Sequence, residues 1–191
     1  MNAKYTIRPA KREEAPYIGA AVVDAVGEDI AAELGEGRGG IEAVRALFSE
    51  LAQRDDSQYS YLNTLVAVDS DDRLVGVCVG YDGARLHRLR QQFIEAARRR
   101  LGIEFGDLKD ECEATEYYLD SLAVDPGHRG QGIASMLIEA TVERACVTGK
   151  PAGLLVDKDN LRARRLYERL GFVKVGEREF VGTLMDHLQR S

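Results

Sequence analysis

The sequence predicts an α/β fold of the α+β kind, in which helices flank a central, mixed, mostly antiparallel and twisted sheet. Apolar runs of strand length alternate with longer runs that have helical spacing. Two of the strand-length runs, 62–68 and 74–81, are joined by an acidic turn at 69–72, which is a hairpin signal. A third run, 117–124, leads through a turn with glycines into a helix.

The N-terminal part predicts two helices. Residues 11–26 have helical spacing, and a glycine-rich break at 35–40 separates them from a second helix at about 41–52. The apolar residues that share a face are Ile18, Val22 and Val26 on the first helix, and Val44, Leu47, Phe48 and Leu51 on the second. Strands 62–68 and 74–81 follow.

A helical and acidic insert occupies about 82–116. Residues 85–101 have helical spacing with arginines on the other faces, and an acidic segment follows. The apolar positions are Leu86, Leu89, Phe93 and Ala97, and the acidic ones are Asp107, Asp110, Glu111 and Glu113. Three interpretations stay open: a solvated surface helix with a flexible acidic loop, a substrate lid, and a nucleic-acid contact. One basic helix on an acidic protein favours the last of these least.

Length and charge bound the function classes. With 191 residues, the chain is expected to form one domain, 1–191, that carries the insert. The net charge of −6 argues against a nucleic-acid partner, because such binding needs distributed positive charge. No apolar run approaches the ~20 residues of a membrane span, so no membrane partner and a cytoplasmic location are expected.

The three cysteines, Cys78, Cys112 and Cys146, are scattered along the chain. They form no Cys-x-x-Cys pair and have no metal-ligand spacing, so free thiols and no metal site are expected. Cys78 lies in an apolar strand and Cys146 in a helix. Catalysis through a covalent cysteine intermediate is therefore not expected.

The strand–turn–helix unit at 124–135 predicts an anion site. Gly130 and Gly132 let the backbone approach a ligand, and the N–H groups and dipole of the following helix favour negative charge, assisted by Arg129. A pyrophosphate fits this description.

Two common phosphate loops fit the sequence poorly. A Walker loop needs Ser or Thr after Gly-Lys, but Pro151 follows Gly149-Lys150. A dinucleotide fingerprint needs a third Gly or Ala where Ser135 stands.

A third pattern, Arg-x-x-Gly-x-Ala, is satisfied by Arg129, Gly132 and Ala134. A second block, 160–172, reads Asn-x-x-Ala-x-x-Leu-Tyr-x-x-x-Gly-Phe, and a strand-like run at 153–157 lies between the two. The second block has the apolar spacing of an amphipathic helix, with a glycine at its end. Together and in this order, the blocks resemble the signatures of the GNAT N-acetyltransferase superfamily.

The resemblance implies a GNAT fold that binds acetyl-CoA as co-substrate, without a metal, at a splay between central strands. Residues 5–9 would form the opening strand and about 173–188 the closing strand pair, and the two N-terminal helices would form a wall of the acceptor cleft. The residues implied in binding acyl-CoA are Leu122, Ala123, Val124, Arg129, Gly130, Gln131, Gly132, Ile133, Ala134, Ser135, Asn160 and Tyr167.

The implied chemistry is acetyl transfer from a thioester to an amine. An alkylammonium has a pKa of about 10.4 and cannot attack, so a base must remove a proton. Asp120 is the first candidate, because two-residue alternation places it on the same side as Tyr118 and Leu122. Glu116 extends this row as a second candidate. The other interpretation of Asp120 is a polar anchor bonded to neighbouring loops.

Tyr167 occupies the position of the tyrosine that commonly protonates the departing thiolate in the superfamily. A phenol with a pKa of about 10 can donate at pH 7, although Tyr167 also suits an apolar helix face. Asn160 would orient CoA and is also a favourable helix N-cap. His187 falls where family members can contact substrate.

The resemblance therefore predicts an acyltransferase that moves an acetyl group from acetyl-CoA to a primary amine of a small molecule or peptide, by direct attack in a ternary complex. The alternative is a catalytically silent acyl-CoA sensor or regulatory module, because function depends on the site and not on the fold. Asp120 and Tyr167 favour the enzyme. A homodimer would be compatible with the family.

Overall fold

The computed structural model describes residues 4–106 and 108–191, apart from the side chains of residues 28 and 29. The strands are β1 (Tyr5–Pro9), β2 (Thr64–Asp69), β3 (Leu74–Asp82), β4 (Tyr117–Val124), β5 (Ala152–Asp157), β6 (Val173–Phe180) and β7 (Thr183–Arg190). The helices are α1 (Ala15–Val26), α2 (Glu28–Gly35), α3 (Gly40–Gln53), α4 (Leu86–Leu101), α5 (Ile133–Val147) and α6 (Leu161–Arg169). Of these, α2 was not predicted.

The strands of the described residues form one seven-stranded sheet in the order β1-β2-β3-β4-β5-β7-β6. All neighbours are antiparallel except β4 and β5, which are parallel and pair only at Tyr117 with Ala152 and at Tyr118 with Gly153. Beyond Tyr118 the two strands diverge, although β4 stays paired with β3 as far as Val124. The predicted fold class, a mixed, mostly antiparallel sheet flanked by helices, is confirmed.

A β-bulge interrupts β4 at Asp120. The register against β3 shifts between Leu119 and Ser121, so Asp120 has no opposing residue. An extra residue of this kind reverses the alternation of side chains along a strand. Leu122 accordingly packs against the cluster that contains α5 and α6, whereas Tyr118 belongs to a different cluster. The prediction that Asp120 shares a side with both Tyr118 and Leu122 is therefore wrong for Leu122.

Apolar layers cover both faces of the sheet. On β2, Leu65 and Ala67 pack in the layer with α5 and α6, whereas Val66 and Val68 pack in the layer with α1, α3 and α4. A strand that is buried on both faces reads as a continuous apolar run, which is the pattern seen at β2. The two layers hold the middle of the sheet in place.

The insert is built into the protein interior. α4 buries Leu89 and Arg90, and Phe93 stacks against an aromatic ring of α3 with the centroids 6.0 Å apart. Glu111 is 3% exposed and pairs with Arg90. The interpretation as a solvated helix with a flexible acidic loop is therefore wrong for these residues. Asp107 lies outside the described residues.

None of the helices in the described residues combines the length and the apolar character that a membrane span needs. The same residues hold no group of three or more His, Cys, Asp or Glu side chains suited to a metal ion. Cys78 and Cys112 are buried free thiols, and Cys146 is exposed.

Candidate active site

The divergence of β4 from β5 opens a gap in the middle of the sheet. From Leu119 to Val124, β4 pairs on one side only, with β3. Leu122, Ala123 and Val124 are partly exposed along this stretch. A strand edge without a partner offers N–H and C=O groups to another extended chain. We call the stretch 119–124 the open edge, and it suits a ligand that carries amide groups.

The start of α5 presents backbone N–H groups. Gly130 and Gly132 have φ of 76° and 85°, in the left-handed region that glycine adopts without strain. No side chain caps α5, and its first hydrogen bond runs from the Met136 N–H to the Gly132 carbonyl at 3.1 Å. The N–H groups of residues 133–135 thus have no acceptor within the described part of the chain. Together with the helix dipole, they favour an anion.

Side chains brace the loop between β4 and α5. Arg129 donates from Nε to the last carbonyl of β4 at 3.0 Å, and Gln131 accepts from the Tyr5 hydroxyl at 2.8 Å. Tyr17 of α1 donates to the Asp125 carboxylate at 2.8 Å. Nothing local in the sequence indicates the contacts from β1 and α1, which join residues 126 and 108 positions apart. Arg129 and Gln131, which were predicted as ligand contacts, thus stabilise the loop through contacts within the protein.

Asp120 lies half-buried at the bulge, beside the open edge. Its carboxylate accepts hydrogen bonds from the Ser121 hydroxyl at 2.7 Å, the Tyr81 hydroxyl at 3.3 Å and the Gln58 amide at 3.4 Å. Burial, followed by the negative charge of Glu111, raises the pKa of Asp120 to about 6, although these hydrogen bonds favour the ionised form. The carboxylate is therefore ionised at pH 7 and is a stronger base than an ordinary aspartate.

Glu116, the second candidate base, is fully buried just before β4. It pairs with His187 Nε2 at 2.8 Å and accepts from the Gln189 amide at 2.7 Å and the Glu113 N–H at 2.8 Å. Burial opposes ionisation, but the hydrogen bonds, led by that from His187, outweigh it and hold the pKa of Glu116 below its ordinary value. His187 is itself buried. Both residues belong to an interior polar cluster that joins β4 to β7.

Tyr167 lies on the inner face of α6. It is 9% exposed and belongs to the apolar cluster that contains Leu119 of β4 and Leu154 and Val156 of β5. Its ring meets Phe172 edge to face, with the centroids 5.8 Å apart. Burial raises the pKa of the phenol above its ordinary value, so the hydroxyl keeps its proton at pH 7. The residue thus belongs to the apolar layer that both diverging strands contribute to, and it carries a proton at pH 7.

Asn160 precedes α6 and caps it. Its Oδ1 accepts from the Ala163 N–H at 3.0 Å, which confirms the N-cap interpretation. The side chain is exposed, and its amide NH₂ is a second polar group that can contact a ligand.

Sequence reasoning did not predict that Gln58, Tyr81 and Glu111 gather around Asp120, or that Arg90 pairs with Glu111. Glu111 was noted only as one acidic residue of the insert. Gln58 and Tyr81 lie 62 and 39 positions from Asp120. The expectation that the arginines of α4 lie away from its apolar face is wrong for Arg90, which is buried. A signal did exist, since Arg90 falls within the apolar stripe, four residues after Leu86 and three before Phe93. A charged residue in such a stripe indicates a buried ion pair.

Comparison with protein families matches residues 33–172, well over half of the chain, to the acetyltransferase (GNAT) family. N-alpha-acetyltransferase 40 of Saccharomyces cerevisiae is 37% identical over 81 residues. That match covers 38% of this chain, and the chain spans 28% of the length of that curated relative.

Solved structures agree with the family match. A crystal structure described as an acetyltransferase has a TM-score of 0.81 at 29% identity and covers 97% of this chain and 98% of its own. An N-acetyltransferase from Staphylococcus aureus Mu50 has the same fold, with a TM-score of 0.77 at 21% identity over 96% of this chain and 99% of its own. Because the family match extends from α2 to Phe172 and the sheet splits between β4 and β5, the chain belongs to the GNAT acetyltransferase family.

Proposed function

We propose that this protein transfers the acetyl group of acetyl-CoA to a primary amine of a small molecule or peptide, by direct attack of the amine in a ternary complex. Membership of the family implies the use of acetyl-CoA. The observation that carries the rest is Asp120, a half-buried carboxylate with a pKa of about 6 beside the open edge. The curated relative is named an N-alpha-acetyltransferase, which supports an amine as acceptor.

The residues present fit an acyl-CoA. The N–H groups of 133–135 and the turn at Gly130 and Gly132 would hold its pyrophosphate, with Arg129 adding positive charge. A Cβ at either glycine would meet no atom within 4 Å, so the turn is open to a ligand. The open edge would pair with the amides of the pantetheine arm. The proposed binding residues are Leu122, Ala123, Val124, Arg129, Gly130, Gln131, Gly132, Ile133, Ala134, Ser135, Asn160 and Tyr167.

Two side chains would move protons. The co-substrate supplies the thioester when bound. Asp120 would accept a proton from the ammonium form of the acceptor, because only the neutral amine has a lone pair with which to attack. Tyr167 would donate its phenolic proton to the departing sulfur, and burial keeps that proton in place by raising the pKa of Tyr167. The position of Asp120 on β4, where this strand has left β5, supports its role, and the role of Tyr167 is supported by the apolar cluster that it shares with residues of both strands.

Direct attack is preferred to an acetyl-cysteine intermediate. Burial raises the pKa of Cys78 to about 12 and also that of Cys112 above its ordinary value, so both stay protonated and weakly nucleophilic at pH 7. Cys146 lies near the end of α5. At 1.5 Å per residue, it is about 20 Å along the helix from the N-terminal N–H groups.

Purified protein should release thiol from acetyl-CoA only when a suitable amine is present. The panel comprises polyamines, amino acids, aminoglycosides and peptides with a free N-terminus, and titration with CoA measures binding separately. The amine that gives thiol release identifies the acceptor class. Tight CoA binding without release across the panel would favour a sensor, whereas no binding would overturn the proposed site.

Gly132→Asp should weaken acetyl-CoA binding by about 100-fold or more, because it places a carboxylate against the pyrophosphate. Gly149→Asp is the matched control, since Gly149 also has a positive φ, 72° against 85°, and open space for a side chain, but follows α5. Calorimetric titration with acetyl-CoA measures both variants. Near-normal affinity of Gly132→Asp would contradict the phosphate assignment.

Asp120→Asn should lower kcat/KM by about 10²–10⁴-fold, because it keeps the shape of the side chain and removes the base. In the parent protein, kcat/KM should rise as the pH increases through about 6, since only the ionised Asp120 accepts a proton. The acidic limb should be lost in Asp120→Asn. Full pH profiles with one amine measure this, and an unchanged limb would exclude Asp120 as the base.

Tyr167→Phe should reduce kcat by about 100-fold while leaving acetyl-CoA affinity nearly unchanged, because it removes a proton donor that acts late in the reaction. Tyr61→Phe is the control, since the Tyr61 hydroxyl contacts Arg12 at 3.2 Å outside the site. Steady-state kinetics and CoA titration distinguish the two roles of Tyr167. Equal kcat in both variants would assign Tyr167 to packing alone.

A further inference from the structure

Buried polar side chains connect the insert with Asp120. Glu111 forms an ion pair with Arg90 of α4, and the two residues are 3% and 6% exposed. Arg90 also donates to the Asp110 carboxylate and to the Leu108 carbonyl, each at 3.1 Å. The segment that carries Glu111 is thereby fixed to α4.

Glu111 and Asp120 share the same hydrogen-bond donors. The Tyr81 hydroxyl lies 3.0 Å from Glu111 Oε1 and 3.3 Å from Asp120 Oδ2, and Gln58 Nε2 lies 3.4 Å from each carboxylate. Tyr81 has one proton to donate, so the two carboxylates share it and Asp120 receives only part of its stabilisation. Tyr81 is 1% exposed, so its hydroxyl donates within the protein and not to solvent. The ionised form of Asp120 is thus stabilised less than it would be without Glu111.

The negative charge of Glu111, like the shared donors, favours the protonated form of Asp120. Two carboxylates that share a site repel each other, and one of them holds a proton more tightly. Arg90 offsets the charge of Glu111 through direct contact, whereas the contacts of Asp120 are with the neutral groups of Ser121, Tyr81 and Gln58. Asp120 is therefore the carboxylate that gains proton affinity.

We propose that Glu111 and Arg90 are positioning residues through which the insert sets the basicity of Asp120. The inference rests on the proposed function, in which Asp120 is the base. Arg90 holds the Glu111 carboxylate beside the donors of Asp120, and this carboxylate raises the proton affinity of Asp120 towards the working pH, where general bases are most effective. Neither residue contacts the reacting atoms.

The other titratable groups that face Asp120 stay neutral in this pH range. Burial raises the pKa values of Tyr59, which precedes β2, of Tyr81 on β3 and of Tyr118 on β4 well above the ordinary value. The same cause raises the pKa of Cys112, which follows Glu111 in the chain. The acidic limb of the kcat/KM profile therefore does not arise from these tyrosines or from Cys112.

The test compares the acidic limbs of kcat/KM in the full chain. Glu111→Gln should move the limb to lower pH by about one unit, because it removes the repelling charge and frees Tyr81 to donate to Asp120. Tyr81→Phe should move it to higher pH, because it removes a donor that favours the ionised Asp120. Opposite shifts distinguish tuning from simple loss of structure.

His87→Gln is the control, since His87 contacts Asp110 at 3.2 Å but its side chain is 80% exposed. Its limb should match that of the parent protein. If Glu111→Gln does not fold, Arg90→Met combined with Glu111→Leu replaces the buried pair by apolar side chains, an exchange that proteins often tolerate. That double variant should also shift the limb to lower pH.

Asp120→Asn distinguishes the role of Asp120 as the base from the role of the insert in setting its basicity. If it loses the limb while folded Glu111→Gln, or the double variant, leaves the limb unmoved, Asp120 remains the base and the role of the insert is overturned. If Asp120→Asn keeps the limb, the proposed base is wrong and the inference fails with it. Loss of the limb in Asp120→Asn, together with the downward shift in Glu111→Gln, supports both.

Discussion

β4 and β5 pair at Tyr117 with Ala152 and at Tyr118 with Gly153, and each then follows its outer neighbour, β3 or β7. Neither strand can return to the other without breaking one of these antiparallel ladders, so the gap is maintained by the sheet itself. The loop before α5 and the inner face of α6 border the gap because they continue from the ends of these two strands. An opening maintained in this way needs no flexible lid to create it.

Such an opening carries an energetic cost, because backbone groups in the middle of a sheet are left without partners. Layers on both faces hold the flanking strands in place, and the insert extends one layer through Phe93 and Ala97. The hydrogen bond from Tyr17 to Asp125 ties α1 to the loop at the end of β4. The rigidity that the site needs is thus distributed over elements distant from it in sequence.

Local patterns in the sequence were sufficient for β2 to β5, for the helices other than α2 and for the glycine turn, because these depend on periodicity and on backbone conformations within a few residues. The strands β1, β6 and β7 were expected only from the family resemblance. The side of β4 on which Leu122 lies could not be predicted in this way. The extra residue at Asp120 reverses the alternation of side chains between the two faces of the strand, and no residue type in the sequence indicates this bulge. The partners of Asp120 were also hidden. Gln58 and Glu111 reach it only through the tertiary arrangement of the insert and the segment before β2.

The bulge at Asp120 also bears on how this strand can change during evolution. Deleting one residue between Leu119 and Ser121 would restore a regular ladder and exchange the two faces over half of β4. Leu122 and Val124 would then face the layer of α1, α3 and α4, and Ala123 would face the layer of α5 and α6. Substitutions in this strand are therefore more easily accommodated than changes of length, and insertions should accumulate in the surface connections instead.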